Sequence, residues 1–205
     1  MPLDDLFFDH LAPTEKRERK GPHWRQDGKL YFVTWRQGDS IPREKREEIL
    51  AERAVWETRH GGVPWHSLPE GTRTEYQRLY HKRIQEYLDN GYGSCVLNLA
   101  EPRRITIEAL KHFHVVRYTL GSFAIAGNHV HALVMPVPGI DLSEVQHTWK
   151  SFTAHAINKA LGRTGPLWRT ESYDRIVRNE DERMRIEDYI LAHREQGGFV
   201  ERMDV

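Results

Sequence analysis

Two runs rich in aromatic, aliphatic and β-branched residues, Tyr118 to Ala126 and His129 to Met135, are joined by Gly127 and Asn128 alone. A Gly-Asn step between two such runs is a turn signal, so the centre of this chain is predicted to fold back on itself as a β-hairpin. Everything else has to pack around that pair. On its C-terminal side, Leu142 to Leu161 reads as a helix, with Val145, Trp149, Phe152 and Ala156 at helical spacing. A strand is expected over Ser172 to Val177, then a helix from Asp181 to Gln196 that Gly197-Gly198 ends. On the N-terminal side, Lys29 to Arg36 reads as a strand. Helices follow over Ser40 to His60, with Ser40 as cap, over Thr72 to Asn90, and over Thr106 to Val116.

The order strand, helices, two strands, helix, strand, helix is a split βαβ pattern of the α+β class. It calls for an antiparallel sheet with helices to one side. The helical stretch 38–116 exceeds what that unit needs, so extra helices are expected as an enlargement after the first strand. Residues 1–28 read as a flexible N-terminal arm, 29–199 as a single domain and 200–205 as a tail.

A chain of 205 residues, 39% hydrophobic and 29% charged, suits one domain with a packed core. Cys95 is the single cysteine, which excludes a disulfide within the chain and a thiolate metal cluster. No apolar run approaches the ~18 residues of a membrane span. The acidic start lacks the pattern of a signal peptide, and a cytoplasmic protein is expected. A formal net charge of zero argues against nucleic acid, but the charge is uneven. Residues 16–36 carry seven Lys/Arg against two acids and residues 142–178 six against three, while 179–205 carry eight acids against four bases. Such blocks fit either a nucleic-acid face or ordinary solvated surface.

The candidate chemistry starts at His129-Val130-His131. Alternate residues of a strand share a face, so both imidazoles point one way while Val130, Ala132 and Val134 point the other. That is half of a divalent-metal site. With 12 histidines in the chain, chance supplies roughly one such pair, so the spacing is also compatible with two packed rings. A second pair, His112-Phe113-His114, falls on an expected helix, where i and i+2 diverge. In the last helix, Tyr189 and His193 are four apart and share a face. A phenol beside a metal-ligating imidazole is an activated nucleophile in the making; a surface Tyr-His pair fits the same spacing. Lys150, His155 and Lys159 give the helix after the hairpin a basic face, for a phosphate backbone or for solvent.

The segment Gly127-Asn-His-Val-His-Ala-Leu-Val134 resembles the Pro-Asn-His-Val-His signature of the HUH single-tyrosine transposases. Trp149-Lys-Ser-Phe-Thr-Ala-His155, Gly165-Pro-Leu-Trp-Arg169, Glu171 to Arg178 and Glu187-Asp-Tyr-Ile190 follow in the order of the REP-associated tyrosine transposase branch. Upstream, Tyr31 to Trp35 resembles that branch's first strand and Pro64 to Leu68 its inserted segment. The resemblance implies a ferredoxin-like fold of the HUH endonuclease type acting on single-stranded or hairpin, repeat-associated DNA. It implies Tyr189 as nucleophile, a 5′-phosphotyrosine intermediate, and His129 and His131 as metal ligands. His193 stands where the family has a third, amide ligand, and Gly127 where it has proline. The implied cofactor is Mg²⁺ or Mn²⁺, and the imidazole at His193 brings Zn²⁺ into range. The two strand histidines leave the ion open on the side where the last helix must pack to deliver Tyr189, so His193 is expected as third ligand. Lys150, His155, Lys159, Arg169, Arg175 and Arg178 are the candidate DNA contacts, with Trp24 and Trp65 as stacking platforms. Tyr173 is the next candidate nucleophile. The resemblance further implies a monomer, nucleoid-associated in the cytoplasm. The alternative is a catalytically inactive or domesticated protein that binds DNA hairpins.

Overall fold

Ile125 pairs with Val130 and Ala124 with His131, and the amide of Ala126 donates to the carbonyl of His129 at 3.0 Å, closing the expected hairpin. The structure, a computed structural model, describes residues 6–18, 22–61 and 67–205. Along the chain run β1 (Glu15–Glu18), β2 (Pro22–Arg25), β3 (Tyr31–Arg36), α1 (Arg43–Arg59), α2 (Glu70–Asp89), a 3-10 turn (Val96–Asn98) and α3 (Ala100–His112). Then come β4 (Tyr118–Ile125), β5 (His129–Pro136), α4 (Leu142–Ala160), β6 (Tyr173–Ile176), α5 (Glu180–Ala192) and β7 (Phe199–Glu201).

One sheet has the order β6-β3-β5-β4-β7, antiparallel throughout. Without β7 this is the strand order of a split βαβ, ferredoxin-like sheet, with α3 and α4 as its two crossovers. The α+β expectation holds. Helices α3, α4 and α5, however, lie on both faces. Tyr31, Val33, Trp35, Val130, Ala132 and Val134 face a core shared with Ile105 and Leu110 of α3 and Val145, Trp149 and Ile157 of α4. Leu30, Phe32, Ala124 and Leu133 face a second core with Ile186 and Ile190 of α5. β3, β4 and β5 are buried along almost their whole length, and a sheet apolar on both sides must be covered on both.

The helix ends depart from expectation for local reasons. α3 begins at Ala100, not Thr106, because Pro102 sits in the first turn, where its missing N–H costs nothing. On α4, capped by Asp141, the core side is Leu142, Val145, Trp149, Thr153 and Ile157, while Phe152 is exposed. Thr153 faces inward because its hydroxyl accepts from the Trp168 indole at 2.9 Å. α5 opens on Asn179, whose side chain accepts from the Glu182 amide at 2.9 Å, and stops at Ala192.

Residues expected as an arm and a tail carry structure. Leu6 and Phe7 are buried, the Leu30 amide donates to Leu6 at 2.7 Å, and β1 pairs with β2. Arg25 makes a bidentate pair with the buried Asp174 at 2.5 and 3.2 Å. At the other end β7 pairs with β4. The physical reason is apolar content: Leu6, Phe7, Phe8, Phe199 and Val200 add to the two cores.

Contacts divide the chain into two compact units, Asp39–Ser94 and the remainder. The smaller unit is built on α1 and α2. Arg83 pairs with Glu52, and Trp56 lies against Tyr76 with ring centroids 4.7 Å apart. Its ends meet where the Ser94 amide donates to Asp39 at 2.8 Å. Ser40 is buried rather than capping; Pro42 holds the cap position without a side-chain bond. Residues 62–66, with Trp65 and most of the Pro64 to Leu68 segment, lie outside the described residues. Among the described residues, no helix is long and apolar enough to cross a membrane.

Candidate metal centre and its tyrosine

Strand alternation puts Phe32 and Thr34 of β3 and His129 and His131 of β5 on the sheet face covered by α5. Thr34 lies directly opposite His131 in the β3–β5 register. One helical turn on α5 separates Tyr189 from His193, so both face this surface. His193 is not inside the helix but caps its C-terminus. Its carbonyl accepts from the Gly198 amide at 2.9 Å, and a Cβ on Gly198 would stand 2.9 Å from that same oxygen. Glycine is required where the chain turns this closely back into β7.

Three histidines converge. His129, His131 and His193 are all buried, and each offers a ring nitrogen within 4.8 Å of the others. Each Nδ1 is engaged. His129 Nδ1 is 2.7 Å from Asn128 Oδ1, His193 Nδ1 2.9 Å from the Tyr189 carbonyl, and His131 Nδ1 2.7 Å from Thr34 Oγ1. An amide oxygen and a backbone carbonyl only accept, so as neutral rings His129 and His193 hold their one proton on Nδ1. Their Nε2 lone pairs then face each other at 3.3 Å. Two buried lone pairs in that position repel unless a cation lies between them. Nitrogens about 2.0–2.1 Å from a tetrahedral Zn²⁺ stand about 3.3–3.4 Å apart, so the His129 and His193 nitrogens are spaced as two ligands of such an ion, with the three donors within 4.8 Å of one another. Burial, and then the neighbouring His129 and His193, hold the His131 imidazole well below its ordinary pKa. A neutral ring is the form that ligates.

The Tyr189 hydroxyl is 3.3 Å from His131 Nε2. Phe32 holds these rings in place, stacked on His131 at 5.5 Å and edge-on to Tyr189 at 6.3 Å. Tyr173 lies edge-on to the far side of this group, 6.3 Å from Phe32. Burial raises its phenol pKa, partly offset by Arg175.

The candidate DNA contacts separate. Arg175, opposite Phe32 in register, shares the histidine face and pairs with Glu182 at 3.0 Å. Arg178 is exposed just beyond β6. Lys150, His155 and Lys159 sit on α4, which covers the opposite face; Lys150 bonds Thr170 at 2.7 Å and Ser172 at 3.0 Å. Arg169 is half-buried, its amide donating to Arg36 at 2.9 Å. Trp24 packs at 5.5 Å from Phe8. His114 accepts from the Leu120 amide at 3.0 Å, outside the cluster. Sequence alone marks Asn128 as a turn residue and not as a partner of His129, and it does not mark Thr34. Asn128 directly precedes His129, but nothing local marks Thr34, 97 residues from its partner. Gly127 has its own reason: a Cβ there would meet the Asn98 amide at 2.8 Å.

No family model matches the chain, and no curated protein sequence matches it. Among solved structures it is similar to a REP-associated tyrosine transposase bound to a REP hairpin. The TM-score is 0.45 at 14% identity, over 85% of this chain and 72% of that one.

Proposed function

We propose that this chain is a metal-dependent single-tyrosine strand transferase of the HUH type, cutting and rejoining single-stranded or hairpin DNA through Tyr189. The observation that carries the reading is the Tyr189 hydroxyl, 3.3 Å from one of three buried, convergent imidazoles. His129, His131 and His193 would hold a divalent ion. When bound, that ion supplies Lewis acidity to a phosphate oxygen and favours the phenolate. Phe32 and the α5 backbone fix the tyrosine in reach. The Tyr189 oxygen attacks the phosphorus, the bond to the 3′ oxygen breaks, and the phenol proton ends on the released 3′-hydroxyl. The 5′-phosphate stays joined to Tyr189, and a later 3′-hydroxyl reverses the step on the same or another strand. No nucleotide is hydrolysed, because one phosphoester replaces another. Arg175 and Arg178, flanking the site on the β6 side, would bind backbone phosphates.

The test is incubation of the purified chain with end-labelled single-stranded hairpin DNA and Mn²⁺, followed by a denaturing gel. A covalent protein–DNA band that chelator abolishes is the expected result. Tight hairpin binding with no adduct at any divalent ion would instead indicate a binding protein without strand-transfer chemistry.

A further inference from the structure

Building on the reading of the three histidines as a metal site, we propose that Thr34 is a positioning residue that makes the metal-ligating tautomer of His131 available. The contrast among the three rings carries the argument. His129 and His193 are fixed by partners that only accept: Asn128 Oδ1 at 2.7 Å and the Tyr189 carbonyl at 2.9 Å. His131 alone has a hydroxyl as its Nδ1 partner, at 2.7 Å, and a hydroxyl both donates and accepts. Its other nitrogen faces a second hydroxyl, that of Tyr189, at 3.3 Å. Two proton arrangements therefore satisfy this buried ring. In one, Nδ1–H donates to Thr34 and Nε2 is bare. In the other, Thr34 donates to Nδ1, and Nε2–H donates to the Tyr189 oxygen. Only the first leaves a lone pair for a metal.

Thr34 makes the first arrangement available by accepting the Nδ1 proton. It is held there by the β3–β5 register, and both residues are buried, so no solvent substitutes for it. Outer partners of ligating histidines typically change metal affinity ~10–100-fold. Thr34→Val keeps the β-branched shape and strand preference but removes the acceptor. A buried Nδ1–H would then lack a partner, so the ring shifts its proton to Nε2, where Tyr189 accepts it.

The experiment compares the full chain with Thr34→Val and Thr34→Ser. Zn²⁺ affinity is measured by competition with a chromophoric chelator, and the tautomer of His131 by long-range ¹⁵N NMR of the metal-free protein. The expected result is a 10–100-fold weaker Zn²⁺ affinity in Thr34→Val, recovery to within about threefold in Thr34→Ser, and a His131 proton moved from Nδ1 to Nε2 in the valine variant alone. Unchanged affinity in Thr34→Val, or a proton still on Nδ1, overturns the proposal. If the parent chain binds no Zn²⁺, the metal-site reading fails, and the tautomer spectra still decide whether Thr34 sets the ring.

Discussion

The Tyr189 hydroxyl reaches His131 because a helical turn and a strand pleat bring two local regularities to the same point. Tyr189 and His193 share a face at i, i+4, and His129 and His131 share one at i, i+2. Removing only the hydroxyl separates chemistry from packing. Tyr189→Phe is expected to lower adduct formation by roughly 10⁴-fold or more while leaving hairpin affinity within about threefold. A denaturing gel and a band-shift titration on the same preparations read the two effects, and adduct at parent levels would remove Tyr189 from its role. His193 supplies the third nitrogen, 3.3 Å from that of His129. His193→Ala should weaken Zn²⁺ or Mn²⁺ binding by more than the ~10–100-fold of a lost outer partner. His193→Asn should keep activity and move the preferred ion toward Mg²⁺, because an amide oxygen is a harder donor. Calorimetric titration with each metal checks both.

At the scale of elements, the site depends on how α5 ends. The helix stops at Ala192, and the chain reverses through Gly197, with φ of 80°, and Gly198 into β7. Gly198→Ala would press a methyl against the His193 carbonyl at 2.9 Å, backbone against a group with no freedom to yield. A loss of about 1–3 kcal/mol is expected, the usual range for overpacking. Thermal unfolding measures it. Zn²⁺ affinity should fall in the same variant, since the carbonyl belongs to the histidine proposed as third ligand. A variant with parent melting temperature and parent affinity would show that α5 does not need this turn. The expectation of a helix to Gln196 missed this because the residues from His193 to Gln196 carry no helix-breaking signal. The stop is set by tertiary pairing of β7 with β4.

At the scale of the molecule, the N-terminal ribbon is part of the larger unit. Asp174 of β6 is 1% exposed in its side chain, and Arg25 of β2 is its bidentate partner at 2.5 Å. Arg25→Ala would leave a buried carboxylate without its counter-charge, and a loss of about 3–5 kcal/mol is expected. Chemical denaturation checks the magnitude. A change under about 1 kcal/mol would mean that Asp174 is solvated or protonated instead. Because β6 also carries Tyr173 and Arg175 on the histidine face, the same variant should weaken hairpin binding.

The sequence by itself determined the elements whose periodicity is strong. The hairpin at Gly127-Asn128, the strand expected over Lys29 to Arg36, the antiparallel α+β order and the shared face of His129 and His131 all follow from local turn signals, β-rich runs and residue spacing. Tyr189 and His193 were paired by helical spacing alone. Tertiary structure decided the rest. Which sheet face α5 covers depends on the burial of β3, β4 and β5 on both sides, which single-strand patterns do not rank. That decision gathers His193 with the strand histidines and sends Lys150, His155 and Lys159 of α4 to the opposite face. The tautomer of each ring likewise depends on partners brought by pairing, above all Thr34, because a hydrogen bond across 97 residues leaves no trace in local spacing.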